Sequence, residues 1–507
     1  MKTNKVRTKA LALCLSAALS FNTFGLSVSN VNAQNQNAAQ KFYDISNPYN
    51  NVDWTAFGQY KSALHSHSTN SDGSQTKTQM IERHYALGYD IYAPADHDVL
   101  NRDFTDTART YAAFVNGAND GLGNMTAGRV VEISAGVGRS GSGMIGVTDS
   151  NEHSRTEHIN GFFAPLLIEN ANALNGRGAN TPGRMLETVR LIEEAGGISH
   201  INHSGRFTGG SNSNLTTGAA GSNNSTHVKT HVDIFLEYAS CVGMEIINRL
   251  DNESRSDRIL WDNILKATAP NGRLVWGFSN DDSHSTSEVG WNYNMHIMPE
   301  LSLEAFRESM ETGTFFAVAP VARREGVNPT DRSGAAMRSG GGNAATEYLR
   351  ETADNPYPRI TNIEVIGNTI SITANDFDVI EWIADGVIIA TGNEIDLNDY
   401  SDKINSYIRA QVKSASAIVF VQPFGISEAA IEDAISSAYV RVIPGNTNEL
   451  TITVAELLSN GMTNFISETY TIRNNAEGNY SVGGYEVFID TKGNDQIRQN
   501  YIVSYPY

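Results

Sequence analysis

The chain has 507 residues, enough at about 150 residues per domain for two to four domains with substantial cores, which excludes a mini-protein held together by staples. Its 37 Lys and Arg stand against 56 Asp and Glu, and the resulting formal charge of −19 repels polyanions at long range. That sign argues against a duplex-DNA binder and against a protein drawn to anionic lipid by charge, but it is compatible with an anionic substrate held at a metal centre.

At the N-terminus Lys2 to Lys9 is basic, Ala10 to Leu19 is mostly apolar, and Val31-Asn32-Ala33 offers small residues at the spacing a signal peptidase reads. Residues 1–33 are therefore expected to be a signal peptide, and export to the periplasm or the extracellular space follows. Asn22, Thr23, Ser27 and Ser29 break the run before the roughly 20 apolar residues an anchor needs, so no membrane partner is expected. Leu13 directly before Cys14 is too bulky for lipoprotein processing. Cleavage removes Lys2, Lys5, Arg7 and Lys9, which takes the charge to −23, and it leaves Cys241 as a lone thiol.

From 34 to 337 short apolar runs alternate with stretches of helical period. Ser62 to Leu64, Ile91 to Ala93, Arg129 to Ile133, Gly197 to His200, Gly243 to Ile247 and Leu274 to Phe278 read as strands, while Thr78 to Leu87 and Met185 to Ala195 read as helices. Such alternation predicts an α/β fold with a parallel sheet, most economically closed into a barrel. Gly209 to Thr226 has the Gly/Ser/Asn/Thr composition of a surface loop. Residues 338–355 resemble a linker, with Pro356 and Pro358 beyond it. The β-rich pattern of 356–426 predicts a β-sandwich, Ig-like domain. A small β-rich module is expected over 427–507, with a helical piece from Glu428 to Ser437. Trp382, Tyr407 and Phe424 are candidates for a carbohydrate platform, with glycan or cell-envelope contact as a conceivable use of the C-terminal domains, but core packing is the more economical use of large aromatics.

All 12 histidines lie between His65 and His296, so the chemistry is concentrated in the α/β part. His65 and His67 flank Ser66 at a strand end, where residues two apart share a face. Gly73 lets the following loop turn so that Asp72 can return to this pair. Asp96-His97-Asp98 closes the next strand. Glu132 ends RVVEIS, His158 lies in EHINGFF, His200 and His203 close GISHINH, and Asp282 and His284 stand two apart in GFSNDDSH. Nitrogen and carboxylate oxygen without cysteine suit Zn, Mn or Fe rather than a thiolate site.

The ordered set LHSHSTNSDG, GYDIYAPADHD, VVEIS, EHINGFF, EAGGISHINHSGR, VGMEIIN and GFSNDDSH, spanning Lys61 to Phe316, resembles the PHP (polymerase and histidinol phosphatase) metal-dependent phosphoesterases. The resemblance implies a distorted (β/α)7 barrel holding two or three divalent ions. It implies His65, His67, Glu132 and Asp282 at one ion, Asp72, His97 and His284 at a second, and Glu132, His158 and His203 at a third, with Glu132 bridging. The sequence departs from the family where Asn202-His203-Ser204 replaces Ala-His-Pro and where NDDSH replaces GSD followed by His, so that Asp281 competes with Asp282, although the two-residue spacing to His284 favours Asp282. His200 is a candidate partner of the ligands and proton donor. Arg206 is a candidate for bidentate contact with a phosphate oxygen, or else a surface cation. The remaining histidines read as ordinary polar residues, with His153 and His231 first in line should an assignment fail.

Such ions lower the pKa of a bridging water and offset phosphoryl charge, so the expected reaction is hydrolysis of a small phosphate mono- or diester by a metal-bridging hydroxide, without an organic cofactor. Two readings compete with it: metal-dependent hydrolysis of an amide or carboxyl ester, and a binding module with no catalysis.

Overall fold

Local signals begin and end the helices. In the computed structural model, which describes residues 6–8, 43–105, 125–155, 158–168, 182–205, 221–249, 254–320, 351, 353–354, 356–428, 438–444, 449–457, 463–471, 478–482, 485–489 and 503–504, Thr76 and Gln79 form a reciprocal capping box at the start of helix α1 (Lys77–Ala86). The strand before it is β1 (Gly58–Ala63), and β2 (Ile91–Tyr92) follows. Next come helix α2 (Ala127–Ser134) and the short strands β3 (Ile145–Gly146), β4 (Asn151–His153) and β5 (Ile159–Phe162). Helix α3 (Pro182–Glu194), β6 (Ile198–Ile201), α4 (Ser225–Glu237), β7 (Cys241–Asn248), α5 (Ser254–Thr268) and β8 (Trp276–Asn280) alternate as expected. The series ends with β9 (Tyr293–Met298), α6 (Leu303–Thr312) and β10 (Phe315–Ala319). Gly313 stops α6 at φ +76°, and a Cβ there would lie 2.6 Å from the Trp276 ring, so only glycine lets the chain pass.

The run RVVEIS is a correction. It forms α2 rather than a strand, because the Thr126 side chain accepts from the Arg129 N–H and starts a helix. Only Ile133 of that helix is buried, and Val131 is 69% exposed, so the apolar residues mark no strand face.

The fold is mixed α/β and richer in strands than in helices, and it is less regular than a repeated β/α barrel. One sheet has the order β8-β7-β6-β5-β4, with β6, β7 and β8 parallel and the β5 pairings antiparallel. In an eleven-stranded sheet β1 pairs with β2 in parallel and with β9 antiparallel. Isolated parallel bridges, Ser66 to Ser283 and His97 to Glu152, tie the two sheets together at the ends where the candidate ligands stand. One apolar core lies between α3, α4, α5 and their sheet, around Met185, Ile192, Phe235, Trp261 and Ile264. A second, around Leu64, Phe162, Phe278, Phe306 and Phe315, fills the space beneath the site.

The strands after 356 do not form a separate body. A three-stranded sheet joins β11 (Arg359–Ile366), β12 (Thr369–Asn375) and β15 (Glu394–Asp396). The other strands, β13 (Val379–Ala384), β14 (Val387–Thr391), β16 (Tyr407–Lys413) and β17 (Ile418–Val421), extend the eleven-stranded sheet, and β17 pairs with β10. Residues 45–427 consequently form one compact unit, so the separation expected at 338–355 is not a division between compact bodies. Arg409 on β16 strengthens the join: its guanidinium grips Asp262 of α5 at 2.8 and 2.7 Å and lies over the Trp261 ring. Trp382, Tyr407 and Phe424 are fully buried, so none of them offers a sugar-stacking face.

The second unit comprises residues 1–44 and 428–507. It contains a four-stranded sheet, Val6–Thr8, Thr463–Thr471, Glu449–Leu457 and Ala438–Pro444, and a three-stranded one, Gly478–Val482, Tyr485–Ile489 and Val503–Ser504. Of the helix expected from Glu428 to Ser437 all but Glu428 lies outside the described residues, as do most of the linker and residues 209–220 of the predicted loop. Among the described residues no helix is long and apolar enough to cross a membrane.

Candidate metal centre

Strand ends place most of the candidate side chains. His65 and His67 follow β1, both fully buried, on the common face their spacing predicts. The loop after them is drawn tight by the buried Asp96 carboxylate, which accepts from the Ser68 N–H at 2.6 Å and from the Ser71 hydroxyl at 3.0 Å. At Gly73 a Cβ would lie 2.6 Å from the His67 carbonyl oxygen, so glycine is required for Asp72 to come back over the histidine pair. His97 follows β2. Since β5 runs antiparallel to β6, its beginning lies at the rim where β6 ends, and His158 therefore precedes its strand while His203 follows its own. Asp282 and His284 come from the end of β8. His203 and Asp282 both hold positive φ, +28° and +45°, a conformation costly for residues with a Cβ and concentrated at functional sites.

The centre of the cluster is Glu152, on β4, and this replaces the bridging role expected of Glu132. Glu132 stands on the solvent side of α2, 54% exposed and paired with Arg129 at 2.8 Å, away from every candidate ligand. The Glu152 carboxylate is fully buried and meets five imidazoles. Its Oε1 lies 3.2 Å from His65, 3.0 Å from His158 and 3.4 Å from His203, and its Oε2 lies 3.5 Å from His67 and 2.7 Å from His97. Asp282 Oδ1 lies 3.0 Å from His67 Nε2, 3.4 Å from His65 Nε2 and 3.6 Å from His284 Nδ1. Asp72 lies 3.3 Å from His284, 3.6 Å from His97 and 3.8 Å from His67. Asp281 turns away, accepting from the Gly290 and Asn292 N–H groups at 2.7 and 2.6 Å.

These groups fit divalent ions. Four sets have donor atoms within 4.8 Å of one another: His67, Asp72, His97 and His284; His65, His67 and Asp282; His65, Glu152 and His203; and His97, Glu152 and His158. Two atoms each about 2.1 Å from a shared ion lie about 3.0–3.5 Å apart for octahedral to tetrahedral coordination, the range of most of these contacts. The buried Nε2 atoms of His65 and His67 face the carboxylates yet have no hydrogen-bond partner, as expected of donors oriented for a cation.

Glu245, in the middle of the wholly buried strand β7, went unassigned in the sequence. It accepts from His65 Nδ1 at 2.7 Å, from the His203 N–H at 2.9 Å, and from the Asn248 and Asn280 amides at 2.9 and 2.8 Å. A proton on Nδ1 of His65 leaves Nε2 directed at Glu152 and Asp282. An acidic residue inside an otherwise apolar strand is the signal that marks it. Burial would raise the carboxyls of Glu152 and Asp282, but the surrounding imidazoles, His65 foremost, hold both well below the carboxylate range. Burial likewise favours neutral His65, and Asp282, Glu152 and Glu245 overturn that preference.

His200 is placed differently from its expected role. It is fully buried, stacked on Phe278 with ring centroids 4.7 Å apart, and burial pushes its imidazole down to about 4. An imidazole sealed in packing is no donor to a leaving group. Arg206 lies outside the described residues.

No protein-family model matches the sequence, and no curated protein matches it. Solved structures are similar to it only distantly. A two-domain protein from Bacteroides vulgatus, containing a predicted PHP-like metal-dependent phosphoesterase, is 13% identical with a TM-score of 0.34, over 86% of this chain and 99% of the other. An amidohydrolase from Chromobacterium violaceum is 16% identical with a TM-score of 0.25, over 50% and 96% of the two chains. The lesion-specific endonuclease of Pyrococcus furiosus is 11% identical with a TM-score of 0.23, over 50% and 56%. Likeness of this degree leaves the chemistry to the side chains of the chain itself.

Proposed function

We propose that this chain is an exported metal-dependent phosphoesterase acting on a small phosphate mono- or diester, with its strands read as a distorted PHP-type barrel. The observation that carries the reading is the buried Glu152 carboxylate faced by His65, His67, His97, His158 and His203, with Asp282 and Asp72 completing the ring. Two or three Mn, Zn or Fe ions would be held there: one by His65, His67 and Asp282, one by Asp72, His97 and His284, and one by His158 and His203, with Glu152 shared. Bound ions would supply Lewis acidity, lowering the pKa of water in the site and offsetting phosphoryl charge.

The chain's own groups do the rest. Glu245 sets the tautomer of His65, and Asp96 fixes the loop that brings in Asp72. The imidazolium charge that stabilises the buried carboxylates is what a cation would replace, so metal uptake should release protons. The basic and apolar N-terminus supports export.

The test is elemental analysis of the purified chain, followed by assay against aryl phosphate mono- and diesters and aryl carboxyl esters. Bound transition metal and turnover of a phosphate ester are expected. His65→Ala and Asp282→Ala should each reduce turnover by about 100-fold or more while circular dichroism remains unchanged. Turnover of carboxyl esters alone would replace the reaction class with the competing hydrolase reading.

A further inference from the structure

A line of side-chain amides runs beneath the ligands. It begins at the carbonyl of Leu64, the residue before His65, which accepts from Asn160 Nδ2 at 2.9 Å. Asn160 Oδ1 accepts from Asn202 Nδ2 at 2.9 Å, and the same Nδ2 donates to Glu152 Oε1 at 2.7 Å. All four residues are fully buried. The direction of the line follows from its fixed end. A backbone carbonyl only accepts, so Asn160 must present its NH2 to Leu64 and its oxygen to Asn202, which leaves Asn202 a donor toward Glu152.

We propose that Asn202 is a positioning residue of the metal centre, an inference that rests on the metal-binding reading of the site. Its N–H holds Oε1 on the side of His65, His158 and His203 and so turns Oε2 toward His67 and His97, giving the one carboxylate two separate sets of neighbours. The anchor is rigid because Asn160 belongs to β5 and Asn202 follows β6, strands paired with each other. The turn after Asn202 is tied in the same way. The His203 N–H donates to Glu245, Ser204 meets His231 Nε2 at 3.1 Å, and the Gly205 N–H donates to Asp257.

The experiment is calorimetric titration of chelator-stripped full-length chain with Mn2+, together with the number of ions retained after dialysis. Asn202→Ala should weaken the affinity of at least one ion by about 10- to 100-fold, with turnover recovered by excess Mn2+. Asn202→Asp, equal in size but with an acceptor in place of the donor, should weaken it at least as much, whereas a space-filling role predicts wild-type behaviour. Asn160→Ala, which removes only the anchor, should give a smaller loss in the same direction. Wild-type chain that binds Mn2+ beside variants that bind it equally well would overturn this inference alone. Wild-type chain that takes up no metal would overturn the reading of the site and this inference with it. Misfolding of all three variants without metal would assign the amides to folding and likewise end the proposal.

Discussion

Glu132 and Glu152 illustrate how little a carboxylate's immediate neighbours in sequence reveal about its place in the fold. Glu132 follows two valines and reads as a strand end, but its backbone is helical and its side chain faces solvent. Glu152 lies in a three-residue strand, too short for any periodicity to show, and becomes the most heavily contacted group in the cluster. Glu152→Gln should cost about 100-fold or more in metal affinity, because it removes the shared charge. Glu132→Gln should leave metal content and activity unchanged and shift stability by no more than about 0.5 kcal/mol, since an exposed ion pair contributes little. Metal loss in the Glu132 variant, or full metal retention in the Glu152 variant, would reverse the correction. The paired ligands were legible, because two residues apart on a strand means one face, and this holds for His65 with His67 whatever the surrounding fold does.

Strand β8 leads into Asp282 and His284 and is paired with a strand, β7, on one edge only. Its other edge is closed by side chains in place of a strand. Gln422 donates to the Gly277 carbonyl and accepts from the Gly277 N–H, both at 2.8 Å, and Asn294 does the same for Ser279 at 3.1 and 2.9 Å. Gln422 follows β17, so the C-terminal strands help to hold the element that positions two candidate ligands. Gln422→Leu would leave a buried N–H and C=O unpaired and should destabilise the chain by about 1–3 kcal/mol, read by urea denaturation. A variant as stable as wild type would show that water or a shift of β8 replaces the amide. This contact was invisible in the sequence because Gln422 and Gly277 are 145 residues apart, and a glutamine after a strand normally signals nothing. Helix α1, by contrast, was readable because the helical period of Thr78 to Leu87 is a property of neighbouring residues.

Burial of histidine gives the whole chain its response to acid. His84, His231 and His296 are pushed down to about 3 by burial, and His153 and His200 to about 4, so all five fold in the neutral form. Unfolded, each takes up a proton near pH 6.5. Below that pH the unfolded chain binds more protons than the folded one, and stability falls as pH falls, down to about 3–4. His65 has the opposite sign, as does the less buried His97. Burial lowers both, but the facing carboxylates raise them above the ordinary histidine value. Their contribution is present below pH 6.5 and is lost as pH rises through the folded value. His227 and His284 are lowered as well, while burial raises the Asp98 carboxyl and pushes that of Asp281 up to about 7, the same sign as His65 and His97. With seven groups against four, the metal-free protein should melt at a lower temperature at pH 5 than at pH 7 in calorimetry with chelator present. A melting temperature that rises on acidification would mean that the cluster outweighs the rest.

The division between sequence and fold follows from the range of the interactions involved. The residue types of the site, the pairing of ligands at strand ends, most strand and helix positions and the concentration of histidine in one part of the chain are local properties, set by backbone periodicity and composition. Which carboxylate stands among the imidazoles and whether the C-terminal strands form a separate body depend on contacts between residues tens to hundreds of positions apart. Burial and strand pairing select among such contacts only once the chain has closed on itself.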